Sequence, residues 1–540
     1  MSDQRAVRWR PAAVILLAAA IAIAWVWLSG GDRTRQERIF LILPIAIVTL
    51  LLLAAWLAFY SNVRRATRIR IGVVLLALVG LAAATTRIRG VTGDLLPIFE
   101  WRWSTRTAMP ADLPLAEPPA APNEPAVSTP PAPVTPLPSV SAPRPADEAR
   151  PVVPTAAEYP QFLGANRDGV IHGVALASDW SAAPPKVLWR RPVGAGWSGF
   201  AISNGLAVTQ EQRGSKETVV AYRLADGAPR WSHGDAAHFE STVAGEGPRA
   251  TPTISRGRVF TLGSTGILDA LDLQTGRLIW QRDVGRDNDS AQPSWGRSSS
   301  PLAVDDLIVV SVGGLADRSL VAYHRDTGEP VWHAGDDFAS YSSPQLASLG
   351  GVRQIVIMNE STIVAHDPAT GRVLWRHDWK RMQPSVAQPL LLPGNRLLFS
   401  AGYGIGSRLL QIDGDAAEQR ATLVWESTRL KAKFTNLVVH DGLVYGLDDG
   451  VLACIDPANG ERKWKSGRYG HGQVLLVDDL LLVQTEEGEI VLVEPRPDAL
   501  RELGRFAVFA QKTWNPPALA GRYLLVRNDI EAALLELPGR

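Results

Sequence analysis

The sequence predicts an eight-bladed β-propeller of four-stranded blades, carried behind three transmembrane α-helices and a proline-rich linker. Three observations point there. A motif ending in Trp recurs every 39–52 residues between Trp189 and Trp464. Three apolar runs occupy residues 12–28, 39–60 and 69–86. Between them and the repeats, 15 Pro fall within residues 110–154.

The membrane anchor covers residues 1–106. A spanning helix needs about 20 apolar residues, which the second run supplies in full, tolerating Pro44 as membrane helices do. No small-residue cleavage site follows the first run, so it reads as a retained helix, not a signal peptide. Positive residues count seven on each side of the membrane, so the charge rule alone ties. The densest cluster, Arg64, Arg65, Arg68 and Arg70, favours that loop on the cytoplasmic side. The chain then reads as a multi-pass protein of the inner membrane with its C-terminal bulk outside the cytoplasm. Trp101 and Trp103 suit an interfacial belt.

The linker covers residues 107–157. Its Pro, Ala, Ser and Thr cannot bury a core and favour polyproline II. At about 3.1 Å per residue it reaches on the order of 140 Å when extended, which suits a spacer.

Residues 158–540 hold the repeats. Ala-Leu-Asp-Leu-Gln-Thr-Gly-Arg-Leu-Ile-Trp at 270–280 has counterparts at 221–231, 322–332, 365–375 and 454–464, and Gly stands four residues before Trp in all five. Trp189 and Trp425 close degenerate copies, and Phe506, 42 residues after Trp464, reads as a Trp replacement. Each unit reads as four short strands, the pattern of a propeller blade. Units begin near Gly199, Thr251, Ser299, Ser342, Ser385, Thr435, Gly472 and Asn515. The eighth has room for three strands, and residues 186–193 are expected to supply the fourth. Closure of the ring by both termini removes open sheet edges.

Charge and motif content exclude several functions. The net charge is +9 over residues 1–106, −3 over 107–157 and −5 over 158–540. The positive excess therefore belongs to membrane flanks, and no nucleic-acid partner is expected. A single cysteine, Cys454, excludes an internal disulfide, a thiolate zinc cluster and a C-x-x-C-H haem site; it reads as a buried strand thiol. The metalloprotease, phosphate-loop and nucleophile-elbow motifs are missing. Gly402-Tyr-Gly-Ile-Gly406 lacks dinucleotide-binding spacing and reads as a turn.

The residues just before each inner strand ring one mouth of a propeller channel. They are Trp197, Arg249, Arg297, Tyr341, Gln383, Lys433, His471 and Trp514, with Ser299, Asn436 and Asn515 just inside. Cations and aromatic rings around a concave mouth suit an anionic or planar ligand, although a wet channel would also be polar.

The Ala-x-Asp-x-x-Thr-Gly-x-x-x-Trp type of repeat resembles the pyrroloquinoline-quinone (PQQ) repeat. Residues 159–169, 247–253 and 294–301 are likewise similar to segments of a bacterial PQQ-like propeller family. The resemblance spans about 158–540. It implies an eight-bladed propeller of the kind found in quinoprotein alcohol and glucose dehydrogenases and in BamB-type outer-membrane assembly factors.

Two functions follow from that resemblance. One is a membrane-anchored binding or scaffold module for cell-envelope proteins, engaged through the propeller loops. The other is a membrane-bound quinoprotein alcohol or sugar dehydrogenase, for which PQQ would be the cofactor. The vicinal Cys pair of the alcohol dehydrogenases is impossible here. At about 48 residues per blade, little chain is spare for the insertions that wall a cofactor pocket in those enzymes. No calcium-binding carboxylate set and no catalytic Asp fall on matched positions. The sequence therefore favours the scaffold, with no catalytic residue and no metal ligand assigned.

Overall fold

Each repeat folds into one antiparallel sheet of four strands, and the computed structural model, which describes residues 7–29, 33–104, 156–379, 384–415 and 417–540, contains eight such blades. Their inner strands start at Ala201, Thr253, Leu302, Gln345, Leu390, Val438, Gln473 and Ala518. In blade 2 the strands are Thr253–Ser255, Arg258–Leu262, Ile267–Asp272 and Leu278–Asp283. The middle two are apolar almost throughout because neighbouring blades cover both their faces: Val259, Phe260, Leu268, Ala270 and Leu271 are fully buried.

The repeat motif is a device for stacking blades. Asp272 accepts hydrogen bonds from the Gln274 and Thr275 amides and from the Thr275 hydroxyl (3.2, 2.9 and 2.7 Å), fixing the turn between the third and fourth strands. Gly276 follows at φ +70°, a conformation that disfavours a side chain. The Trp of the preceding blade lies flat on this turn. A Cβ on Gly276 would sit 2.4 Å from Cε3 of Trp231, whose Nε1 donates to the Leu273 carbonyl at 2.8 Å. The same contact joins Trp280 to Gly328, Trp332 to Gly371 and Trp425 to Gly460. The Ala of the motif is the strand partner of its own Trp, as in Ala270 with Trp280, and a bulge follows it. The motif thus couples a turn, a small residue and an indole that crosses to the next blade.

The ring closes as the sequence predicts. Strand β4 (Lys186–Pro192) pairs antiparallel with Glu531–Glu536 as the outer strand of blade 8, with Trp189 opposite Leu534. Trp189 then packs on Gly227 of blade 1 and donates to the Leu224 carbonyl at 2.8 Å, so the closing contact repeats the internal ones. The short strand β3 (Val170–Ile171) adds to the inner edge of blade 7 in parallel.

Blade 7 corrects one expectation. Phe506 is not the Trp replacement, because it pairs with Ile490, and Gly504 occupies the Trp position opposite Leu492. The vacant slot is filled from elsewhere in the chain: a Cβ on Gly504 would lie 2.6 Å from Cβ of Trp180, which is 4% exposed. Matching by sequence distance missed this because the register is set by the bulge, not by spacing.

At the N-terminus, α1 (Trp9–Leu28), α2 (Arg35–Ala55) with its π-helical extension Trp56–Tyr60, and α3 (Arg65–Thr85) are each long and apolar enough to cross a membrane. Thr34 and Glu37 form a reciprocal capping box at the start of α2. A hairpin that the sequence reading did not foresee follows α3, formed by β1 (Thr86–Val91) and β2 (Pro97–Trp101). Nearly all of the proline-rich linker, residues 107–155, lies outside the described residues.

Candidate functional site

Segments outside the blades reach over both ends of the central channel of the propeller. At one end, the stretch before β3 crosses the axis and drops Arg167 among the inner strands. This guanidinium is 1% exposed. It donates to the carbonyls of Ser300, Pro301 and Pro344 and to the Thr253 hydroxyl, while Gln161 accepts from its Nε. Burial without a carboxylate partner lowers its pKa to about 9. Blades 2, 3 and 4 are thereby tied to one side chain.

At the other end, the turn of the β1–β2 hairpin sits in the mouth. The Gly93 amide donates to Glu486 (2.6 Å), and its carbonyl accepts from Lys433 Nζ, which also donates to Gln36 of α2. Asp94 lies 3.2 Å from His471 Nε2, 3.5 Å from Arg35 and 3.9 Å from Arg468. Burial pushes Asp94 upward, but the hydrogen bond and charge of His471, with Arg468 and Arg35, outweigh it and hold the carboxyl below its usual value. Farther along the hairpin, Arg89 pairs with Asp529 at 2.8 Å, and Lys512 donates to the Val91 carbonyl at 3.1 Å. Burial lowers Lys433 to about 8 against the pull of Asp449, Asp94 and Glu486.

Between the two segments lies a cavity of about 150 Å³. Val91, Thr92 and Leu95 of the hairpin form its roof, and Phe162 comes from the opposite segment. Aromatic rings make up much of the wall. Trp514 lies 5.1 Å from both Trp197 and Phe434, and Trp295 stacks on Tyr341 at 5.1 Å with Tyr403 beside it. Among the described residues, no Asp, Glu or His lines it.

The mouth residues singled out from the sequence divide into three groups. Trp197, Arg249, Tyr341, Asn436 and Trp514 line the cavity, whereas Lys433 and His471 hold the hairpin. The others face into the protein. Arg297 donates to the carbonyls of Val312 and Ser290, Asn515 donates to those of Gly196 and Ser198, and Ser299 is buried. Gln383 lies outside the described residues. Even Arg249 is committed to its own loops, donating to Ala244 and Gly245 (2.9 and 2.8 Å) and to Ser264, with burial lowering it to about 10. Sequence reasoning missed Trp295, Tyr403 and Phe434, which stand within two residues of a chosen position or inside the Gly402–Gly406 turn. It also missed the hairpin, whose Gly93-Asp94 pair was the available turn signal.

Two outlying features belong to the blades themselves. His233, Asp235 and Asp269 cluster between blades 1 and 2 with their ligand-type atoms within 4.8 Å of one another. Cys454 is buried in a strand of blade 6, as expected.

A family model described as outer membrane protein assembly factor BamB matches residues 162–311, 291–466 and 359–498, together more than half the chain. The chain belongs to this family of PQQ-like propellers. Its relatives include BamB of Shewanella oneidensis, 22% identical over 303 residues that cover 53% of this chain and 70% of that protein. The quinoprotein alcohol dehydrogenase PedH of Pseudomonas putida is 26% identical over 193 residues, covering 34% of this chain and 30% of the enzyme. The chain thus matches less than a third of that enzyme's length. Among solved structures, the quinohemoprotein alcohol dehydrogenase of Comamonas testosteroni superposes with a TM-score of 0.51 at 13% identity, over 71% of this chain and 81% of the enzyme. That likeness is one of fold.

Proposed function

We propose that the protein is a binding or scaffold propeller for proteins of the cell envelope, held in the inner membrane by α1–α3 with the propeller outside the cytoplasm. The observation that carries this reading is the chemistry of the channel. A quinone cofactor with a divalent ion needs carboxylates on the metal and a general base beside the substrate. Among the described residues the lining offers no acid and no His, and Arg249 donates to the carbonyls of Ala244 and Gly245 and to the Ser264 hydroxyl. With the hairpin docked, a cavity near 150 Å³ suits a single aromatic ring, not a fused three-ring quinone together with a substrate. With the hairpin docked, the lining residues do not fit PQQ chemistry, and no step is assigned to it.

Support for protein binding comes from the loops around the mouth and from the BamB relatives. Leu315 and Phe338 are 55% and 51% exposed on loops of blade 3 and the blade 3–4 junction. Large apolar side chains on a rigid polar rim are suited to a protein contact. The start of α2, reaching Lys433 through Gln36, and the end of α3 face the propeller on the same side, as three spans require in either orientation.

Photo-crosslinking amino acids placed at Leu315 and Phe338 in intact cells test the reading. A discrete adduct with an envelope protein, missing when the probe is at Leu423 on the outer strand of blade 5, is expected. Adducts only with cytoplasmic proteins would contradict it.

A further inference from the structure

The hairpin turn is held in the mouth as a ligand is held. Both polar groups of the Gly93 backbone are engaged, the amide by Glu486 and the carbonyl by Lys433. The carboxylate of the next residue is taken by His471 and Arg468 from the propeller and by Arg35 from the anchor. A Cβ on Gly93 would lie 2.1 Å from Cδ2 of His471. Gly93 is not in the left-handed region, so a side chain is excluded by the imidazole and not by the backbone. His471 itself is 2% exposed and rests edge-on to Phe434 at 5.8 Å. The socket therefore reads a dipeptide: a residue without a side chain, followed by an acid, in a turn.

The occupant is an element separate from the blades. A two-stranded hairpin has little stability of its own. Its contacts with the propeller are largely polar, made by Arg89, the Val91 carbonyl, Gly93 and Asp94. It is joined to the propeller through the Pro-rich linker, which makes its docking intramolecular. Its removal would uncover the aromatic cavity that Val91, Thr92 and Leu95 roof.

We propose that the channel mouth is a receptor for a Gly-Asp turn, occupied here by the chain's own hairpin, and that a partner protein presenting such a turn takes the hairpin's place and opens the channel. The proposal rests on the scaffold reading for the existence of a partner, but the receptor itself is tested without one. The test uses the full chain in nanodiscs with Cys454→Ser and a reporter, Ser298→Cys, in the cavity wall. Maleimide labelling of the reporter is slow while the hairpin is docked. Gly93→Ala, through its clash with His471, and Asp94→Asn, through loss of one member of a charge-assisted contact, both outside the blades, each speed labelling about 30-fold or more. A synthetic peptide of residues 90–98, added in excess to the Asp94→Asn chain, restores slow labelling. The same peptide carrying Asn in place of Asp94 does not.

Three results overturn the proposal. One is fast labelling of the reporter with the native hairpin; another is an unchanged rate in both hairpin variants. The third is equal behaviour of the two peptides. None of the three bears on whether the loops bind an envelope protein or whether the propeller turns over a substrate.

Discussion

Replacing Gly276 by Ala tests whether the repeat motif is a blade-stacking device. The new Cβ would meet Trp231 Cε3 at 2.4 Å, and the backbone there sits at φ +70°. The left-handed conformation costs an L-residue about 1–2 kcal/mol. Displacing the packed indole adds about 1–3 kcal/mol of overpacking, so the single variant loses about 2–5 kcal/mol. Trp231→Ala removes a side chain 4% exposed together with its bond to the Leu273 carbonyl, a loss of about 3–5 kcal/mol. In the double variant the overpacking disappears, because the indole is gone, and only the backbone cost remains. The double variant is therefore more stable than the sum of the singles by about 1–3 kcal/mol. Urea unfolding of the full chain in detergent, followed by near-ultraviolet circular dichroism, measures all three. Additivity within about 0.5 kcal/mol, the behaviour of independent sites, would refute the contact between Gly and the Trp of the preceding blade.

Three further outcomes are expected. Trp189→Ala in a chain starting at Glu158 removes the closing contact with Gly227 while keeping Arg167, β3 and Trp180, so it should melt well below the parent; equal melting would refute the closure. Reporter fusions after Glu158 should be active only outside the cytoplasm, and activity confined to the cytoplasm would reverse the topology. Burial, reinforced by the neighbouring Asp235 carboxylate, raises Asp269 far above its usual range, toward about 8. The folded state then holds a proton that the unfolded state releases, so this site loses stability as pH rises from the ordinary carboxylate range to about 8. Asp269→Asn should stabilise the protein by on the order of 1–3 kcal/mol near pH 8 and by much less near pH 5. Thermal melts at the two pH values check the sign.

The fold was legible because its determinants are local and periodic. Asp272, Thr275 and Gly276 build a turn from consecutive residues, and an indole four residues on marks each blade, so counting units counts blades. Closure was legible for the same reason, since Trp189 is one more copy of the mark. Blade 7 was harder, because its Trp slot is filled by Trp180, some 320 residues from Gly504 in sequence, which no local pattern encodes.

The site was legible only in part. Positions before each inner strand were found by register, and Trp197, Tyr341 and Trp514 do face the cavity. Which cations remain available depends on the loops around them. Arg249 and Arg297 differ from Lys433 through the carbonyls they meet, not through any motif. The hairpin was hidden because Arg87 and Arg89 beside an apolar run read as membrane flank. Their roles, pairing with Glu100 and with Asp529, emerge only in three dimensions.

Catalytic turnover tests the central claim most directly. The purified protein, supplied with PQQ and either calcium or a lanthanide ion, is assayed for dye reduction over a panel of alcohols and aldose sugars. The binding-propeller reading expects no substrate-dependent reduction, whether or not PQQ is retained. Substrate-dependent reduction that disappears on Arg249→Ala or Lys433→Ala would contradict it and make the protein a quinoprotein dehydrogenase.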